Sequence, residues 1–177
     1  MTSLLFVCTG NATRSVIAGE LARAARPDWR VATAGTFVVE GLQISWRTRA
    51  ALERLGLSAA GHRSTQLTDA HVAAADLLIT QEYQHVQYIR RHHPEGAART
   101  ATLRRLVRDL PATGPAGEPL AHRLAALDLA SVELEPDWED VVDPGGGEEA
   151  DFVACAHELA ALMADLIPRL GDRVPSP

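Results

Sequence analysis

Lysine is absent from this 177-residue chain, and all 17 basic side chains are arginine. So uniform a replacement reads as compositional bias, and no mechanism follows from it. Cysteine is nearly absent too. Cys8 and Cys155 are too few and too far apart for a disulfide framework or a zinc site. No apolar run reaches the length of a membrane-spanning helix. The first one, Leu4 to Val7, is too short for a signal peptide and lacks a basic flank. Basic tracts are missing as well. With a formal charge of -6, this argues against binding to nucleic acid or to an anionic membrane. The expected compartment is a reducing cytoplasm, where a thiolate can persist.

An apolar content of 46% and a charged content of 23% are ordinary for a folded domain. The length suits one domain, expected over residues 1–170 with a flexible tail at 171–177. Apolar runs at Leu4–Val7, Arg30–Ala34 and Asp76–Thr80 read as strands, and Thr100–Leu103 as a weaker fourth. Helices are expected at Ser15–Ala25, from Ser45 to Leu55, from Thr68, over Glu82–His92, over Leu120–Leu129 and over Ala150–Leu166. Ser45 and Gly56 have the residue types of an N-cap and a C-terminal stop. The Pro/Gly-rich stretch 111–119 reads as a loop. Strands alternating with helices predict an α/β fold, a parallel sheet covered on both faces.

The first strand ends in Cys8-Thr-Gly-Asn-Ala-Thr-Arg14-Ser15. Cys-x5-Arg alone is weak, because 17 arginines make a chance match common. Its placement is what counts: the loop leaves a buried strand and opens a helix, where open α/β sheets bind ligands. Backbone N–H groups of Thr9, Gly10, Asn11, Ala12, Thr13 and Arg14 can converge there on a phosphate. The same dipoles favour the thiolate of Cys8, which can attack phosphorus and form a thiophosphate. The planar fork of Arg14 suits two phosphoryl oxygens. Ser15 can donate to the sulfur, and Gly10 and Asn11 tolerate positive φ. The blander alternative is a buried apolar cysteine beside a solvated first-turn arginine.

These residues resemble the low-molecular-weight protein tyrosine phosphatase family, and the likeness runs from Leu4 to about Leu166. Leu-Phe-Val-Cys8-Thr-Gly-Asn11-Ala-Thr-Arg14-Ser15 is similar to the family's nucleophile loop. Thr33-Ala-Gly-Thr36, His62-Arg-Ser-Thr-Gln-Leu67 and Asp143-Pro144 with Asp151-Phe152 resemble later family segments. The resemblance implies a flavodoxin-like, three-layer α/β/α fold on a four-stranded parallel sheet. It implies Asp143 as the acid that protonates the leaving oxygen and then activates water. Asn11, Ser15, Thr33 and His62 would form a polar network supporting the loop. No cofactor or metal is implied. The substrate would be a phosphotyrosine protein, or a small phosphomonoester, and the enzyme a monomer or weak homodimer.

Departures from the family pattern carry information. Thr13 replaces the cysteine usual before the arginine, which removes a protective disulfide partner of Cys8. Gly145 and Gly146 replace aromatics that wall the cleft. Trp46 offers a substitute aromatic, although a partly buried helix residue is the plainer expectation. Residues 104–138 are longer than needed and suggest a helical flap or partner surface, and the acidic groups near 133–151 read as a solvated loop. Three other activities compete. The first is action on small aryl or sugar phosphates. The second is arsenate reduction using an external thiol, since Cys155 sits on an apolar helix face. The third is a catalytically silent phosphoanion-binding module.

Overall fold

The computed structural model describes residues 1–111 and 118–171. Most of the loop expected at 111–119, and the tail beyond Gly171, therefore lie outside the described residues. Four parallel strands, β1 (Ser3–Cys8), β2 (Arg30–Gly35), β3 (Leu77–Thr80) and β4 (Thr100–Thr102), form one sheet in the order β2-β1-β3-β4. The helices are α1 (Arg14–Ala25), α2 (Trp46–Arg54), α3 (Asp69–Ala74), α4 (Tyr83–His92), α5 (Leu103–Asp109), α6 (Leu120–Ala125) and α7 (Glu149–Leu170). A 3₁₀ helix spans Pro94–Arg99.

Alternation along β1 assigns the layers. Leu4 and Phe6 join Leu77 and Ile79 in the larger core, which also takes in Val16, Leu159 and Leu166. Leu5 and Val7 face the other way, with Leu78, Val72 and Ile89. Successive strand residues point to opposite faces, so a central strand with two covered faces must be apolar throughout. This makes a three-layer α/β/α sandwich. Because all four strands run parallel, their C-terminal ends gather at one edge, with Cys8 opposite Gly35 and Val7 opposite Thr80.

Most boundaries agree with the sequence reading, and the differences have local causes. Ser45 caps α2, its Oγ accepting from Thr48 N at 3.1 Å, and Gly56 takes a φ of 71°. Leu103 does not extend β4. Thr102 caps a helix there, accepting from Arg105 N at 3.1 Å, and this helix was not anticipated. Helix α6 stops at Ala125 rather than Leu129. Helix α7 continues past Pro168, because Leu170 is buried and Arg169 donates to the Leu110 carbonyl at 2.7 Å.

The described residues of the 104–138 segment carry most of α5 and all of α6. Leu106, Leu110, Leu124 and Leu129 belong to the main core. Three of its arginines form ion pairs within the chain: Arg104 pairs with Glu158, Arg105 with Glu139, and Arg108 with Asp109 and Glu135. Glu139, expected in a solvated acidic loop, is fully buried. It accepts from Arg105 Nε at 3.0 Å and from Thr102 Oγ1 at 2.8 Å.

Candidate active site

The loop from Thr9 to Thr13 joins β1 to α1 at the C-terminal edge of the sheet. Within it only Asn11 takes a positive φ, 49°, a conformation that its short polar side chain tolerates. Gly10, expected to share that role, is not in the left-handed region. Asn11 is fully buried and tied on several sides. Its carbonyl accepts from His62 Nε2 at 2.7 Å and from Ser64 Oγ at 3.0 Å. Its side-chain oxygen accepts from Thr65 N at 2.9 Å. The bend of the loop is thus set by residues more than 50 positions away.

Close backbone approach fixes the other flank. Thr36 N donates to the Cys8 carbonyl and Phe37 N to the Thr9 carbonyl, both at 3.0 Å. A Cβ on Gly35 would stand 2.5 Å from the Thr9 carbonyl oxygen and 2.9 Å from Asn11 N, so a side chain there would displace the loop. With those contacts in place, the N–H groups of Gly10, Asn11, Ala12 and Thr13 have no protein acceptor among the described residues. Successive free N–H groups at a helix N-terminus form an anion cradle.

Cys8 is buried, and its Sγ lies 3.1 Å from Ser15 Oγ. The Asn11 amide donates to Ser15 Oγ at 3.0 Å, which leaves the Ser15 hydroxyl proton for the sulfur. The hydrogen-bonded chain Asn11–Ser15–Cys8 therefore ends in a donor aimed at the thiol. Thr33, expected in this network, makes no hydrogen bond to the loop. Its methyl instead packs against Gly19 of α1, where an added Cβ would stand 2.7 Å away.

Arg14 is one of two fully buried arginines among the described residues, the other being Arg123. Its Nη1 donates to the Val141 carbonyl at 2.9 Å and pairs with Glu82, and its Nη2 meets Asp143 Oδ2 at 2.6 Å. Burial alone would lower its pKa. Cys8, Asp143 and Glu82 outweigh burial and hold the guanidinium above its ordinary value. Asp143 itself is half-exposed, and its Oδ1 accepts from Gly145 N at 2.9 Å. Its loop is anchored by Val141 N donating to the Gln81 carbonyl and by Tyr83 N donating to Asp140. Behind Asp143, Pro144, Asp151 and Cys155 line a cavity of ≈ 380 Å³. Burial pushes the Cys155 thiol up to about 12.

Glu82, His85, Ser64 and Gly35 escaped the sequence reading as site residues. His85 is buried under the loop, its Nε2 3.0 Å from Thr9 Oγ1. Burial, reinforced by Arg14, pushes its pKa down to about 3. A polar residue two places after the buried run Leu77–Thr80 was the one available signal for Glu82. Trp46 is exposed rather than partly buried. It opens the helix whose Thr48 hydroxyl meets Thr13 Oγ1 at 2.9 Å. Away from the loop, Asp69, His93 and Glu95 bring ligand-type atoms together, with Asp69 accepting from His93 Nδ1 at 2.5 Å.

Comparison with known proteins supplies relatives for this geometry. Residues 3–115 match the family model for low molecular weight phosphotyrosine protein phosphatase. A protein-arginine-phosphatase of Geobacillus stearothermophilus is 35% identical over 168 residues, covering 94% of this chain and 95% of the relative. The low molecular weight protein-tyrosine-phosphatase PtpB of Staphylococcus aureus is 28% identical over 92% of this chain and 95% of its own. Among solved structures, the YwlE arginine phosphatase from Geobacillus stearothermophilus superposes with a TM-score of 0.75 at 29% identity. That match covers 96% of this chain and 93% of the other. The chain thus belongs to the low molecular weight phosphotyrosine protein phosphatase family, whose members are cysteine-dependent phosphatases.

Proposed function

We propose that this chain removes phosphate from protein side chains through a covalent intermediate on Cys8. The observation that carries this reading is the meeting of four groups around the unpartnered loop amides. These are the Cys8 thiol, the Ser15 donor, the buried Arg14 fork and the Asp143 carboxyl. In the first step the sulfur attacks phosphorus, the bond to the leaving atom breaks, and protonated Asp143 gives that atom its proton. In the second step water attacks phosphorus, the Asp143 carboxylate takes the proton, and the S–P bond breaks. Ser15 then stabilises the departing thiolate. Arg14 and the amides of Gly10 to Thr13 hold the phosphoryl oxygens throughout.

A protein substrate is supported by the surroundings of the loop. Phe37, whose backbone is bonded to Thr9, is 82% exposed, and Val142, next to Asp143, is 73% exposed. Apolar side chains standing in water on both flanks of the loop suit residues neighbouring a phosphorylated side chain. Arsenate reduction through a second thiol of the chain itself is poorly served, since Cys155 is buried with its thiol pushed up to about 12; a route through an external thiol does not depend on Cys155.

A second reading concerns which side chain is dephosphorylated. Glu82 and Asp143 place two carboxylates against Arg14, while Gly145 and Gly146 supply no aromatic wall. A planar, N–H-rich leaving group such as the guanidine of phosphoarginine finds acceptors there, whereas a phenol finds no aromatic ring on the Asp143 loop. The relative from Geobacillus stearothermophilus is named for arginine. The test is a panel of phosphoarginine peptides, phosphotyrosine peptides and small phosphomonoesters, with Cys8→Ser protein as a trap for bound phosphoproteins. Better turnover of the small esters than of either peptide would sink the protein-substrate reading.

A further inference from the structure

We propose that His85 is a positioning residue for this reaction, holding the Thr9 hydroxyl so that its proton faces the bound phosphoryl group. The inference rests on the reading that the Cys8 loop binds phosphate. His85 occupies the third position of α4, where a capping box ordinarily has Glu or Gln reaching back to the N-cap amide. Here the imidazole does so, accepting on Nδ1 from Glu82 N at 3.1 Å. A neutral imidazole carries one proton, so an accepting Nδ1 puts that proton on Nε2.

The direction of the next hydrogen bond follows. Nε2 lies 3.0 Å from Thr9 Oγ1 and donates to it. Having accepted from His85, the Thr9 hydroxyl has its own proton left to give, and that proton points away from the ring. Thr9 is exposed, follows Cys8 directly and adjoins the unpartnered amides of the cradle. The hydroxyl thus adds a side-chain donor to the backbone donors at the site.

The residue type matters at this position. A glutamate would cap the helix equally well, but its carboxylate would accept the Thr9 proton and take it from the substrate. A protonated imidazole would set N–H against the Glu82 N–H and break the cap. Burial beneath the loop keeps the ring neutral, so the orientation persists across the working range of pH. Glu82 takes part twice: its amide fixes the tautomer and its carboxylate grips Arg14.

The test measures the dissociation constant of inorganic phosphate by calorimetry, with kcat and KM for p-nitrophenyl phosphate. The proteins compared are wild type, Thr9→Val, Thr9→Ser, His85→Leu and the Thr9→Val/His85→Leu double variant. Loss of one hydrogen bond to a charged ligand should weaken phosphate about tenfold or more in Thr9→Val. His85→Leu should weaken it by a similar factor, the double variant no further, and Thr9→Ser should recover most of the loss. Unchanged phosphate affinity in Thr9→Val, or losses that multiply in the double variant, would overturn the proposal. If His85→Leu does not fold, the Val and Ser variants at the exposed Thr9 decide alone. Because phosphate binding is measured without turnover, a wild type that binds phosphate but hydrolyses nothing counts against the hydrolytic reading only.

Discussion

Asp143 Oδ2 and Arg14 Nη2 meet at 2.6 Å across 129 residues of chain. One of the two groups is buried and the other half-exposed. The pairing holds the Asp143-Pro144-Gly145 loop against the buried first turn of α1. It thereby places a carboxyl beside Arg14, as the proposed protonation of the leaving atom requires.

Replacing Asp143 with Asn keeps the side-chain shape and removes the transferable proton. General acid catalysis of this kind is worth about 10²–10⁴ in rate. The loss should approach that size in kcat for phenyl phosphate and be much smaller for p-nitrophenyl phosphate, whose leaving group needs little protonation. Equal losses on both esters would remove Asp143 from the role.

Glu139 is fully buried, and its partner Arg105 nearly so. Together they anchor the segment that runs on to Val141 and Asp143. Breaking a buried pair from one side leaves an uncompensated charge, which costs about 3–5 kcal/mol. Glu139→Ala should lower stability by that order in urea unfolding. The double replacement Arg105→Met/Glu139→Leu should cost distinctly less. If the single and double variants lose the same amount, the pair is not the source of the effect.

Thr13 stands where the family pattern has a second thiol, and its hydroxyl is engaged with Thr48. Cys155 is buried, with its thiol pushed up to about 12 by burial, so it offers little thiolate to a sulfenic acid on Cys8. Peroxide should inactivate the enzyme in a way that dithiothreitol restores poorly. Intact mass should rise by two or three oxygens rather than fall by two hydrogens, and Cys155→Ala should leave the time course unchanged.

His85 predicts an acid weakness. Its pKa is about 3 in the folded chain, because of burial and then Arg14, against an ordinary value of 6.5 when unfolded. Above pH 6.5 both states are neutral there and the residue has no effect on stability. Between about 6.5 and about 3 the unfolded chain binds a proton that the folded chain does not. Stability is therefore lost as pH falls, by up to about 1.4 kcal/mol per pH unit from this group. His85→Gln should flatten the slope in that window, as measured by urea midpoints between pH 7 and pH 4. An unchanged slope would show that His85 accepts a proton while folded.

Some of this architecture follows from neighbours in the chain, and some from partners far away. Short apolar runs bounded by turn residues read as strands, and Cys8, Asn11, Arg14 and Ser15 lie within eight residues. Their spacing on one strand-to-helix turn already dictates that they share a site. The capping types Ser45 and Thr68 act over three residues, so they too were legible. What the tertiary structure decided is which charges are buried and by whom. Glu139 looked like one more solvated acid until Arg105, 34 residues away, enclosed it. His85 looked like a helix residue until packing of α4 against β3 and β4 brought its ring to Thr9. Thr33 was read as a polar support and became a packing contact, because β2 turns its methyl toward Gly19. Burial and hydrogen-bond direction depend on the partner across the sheet edge, and no local pattern of residues specifies that partner.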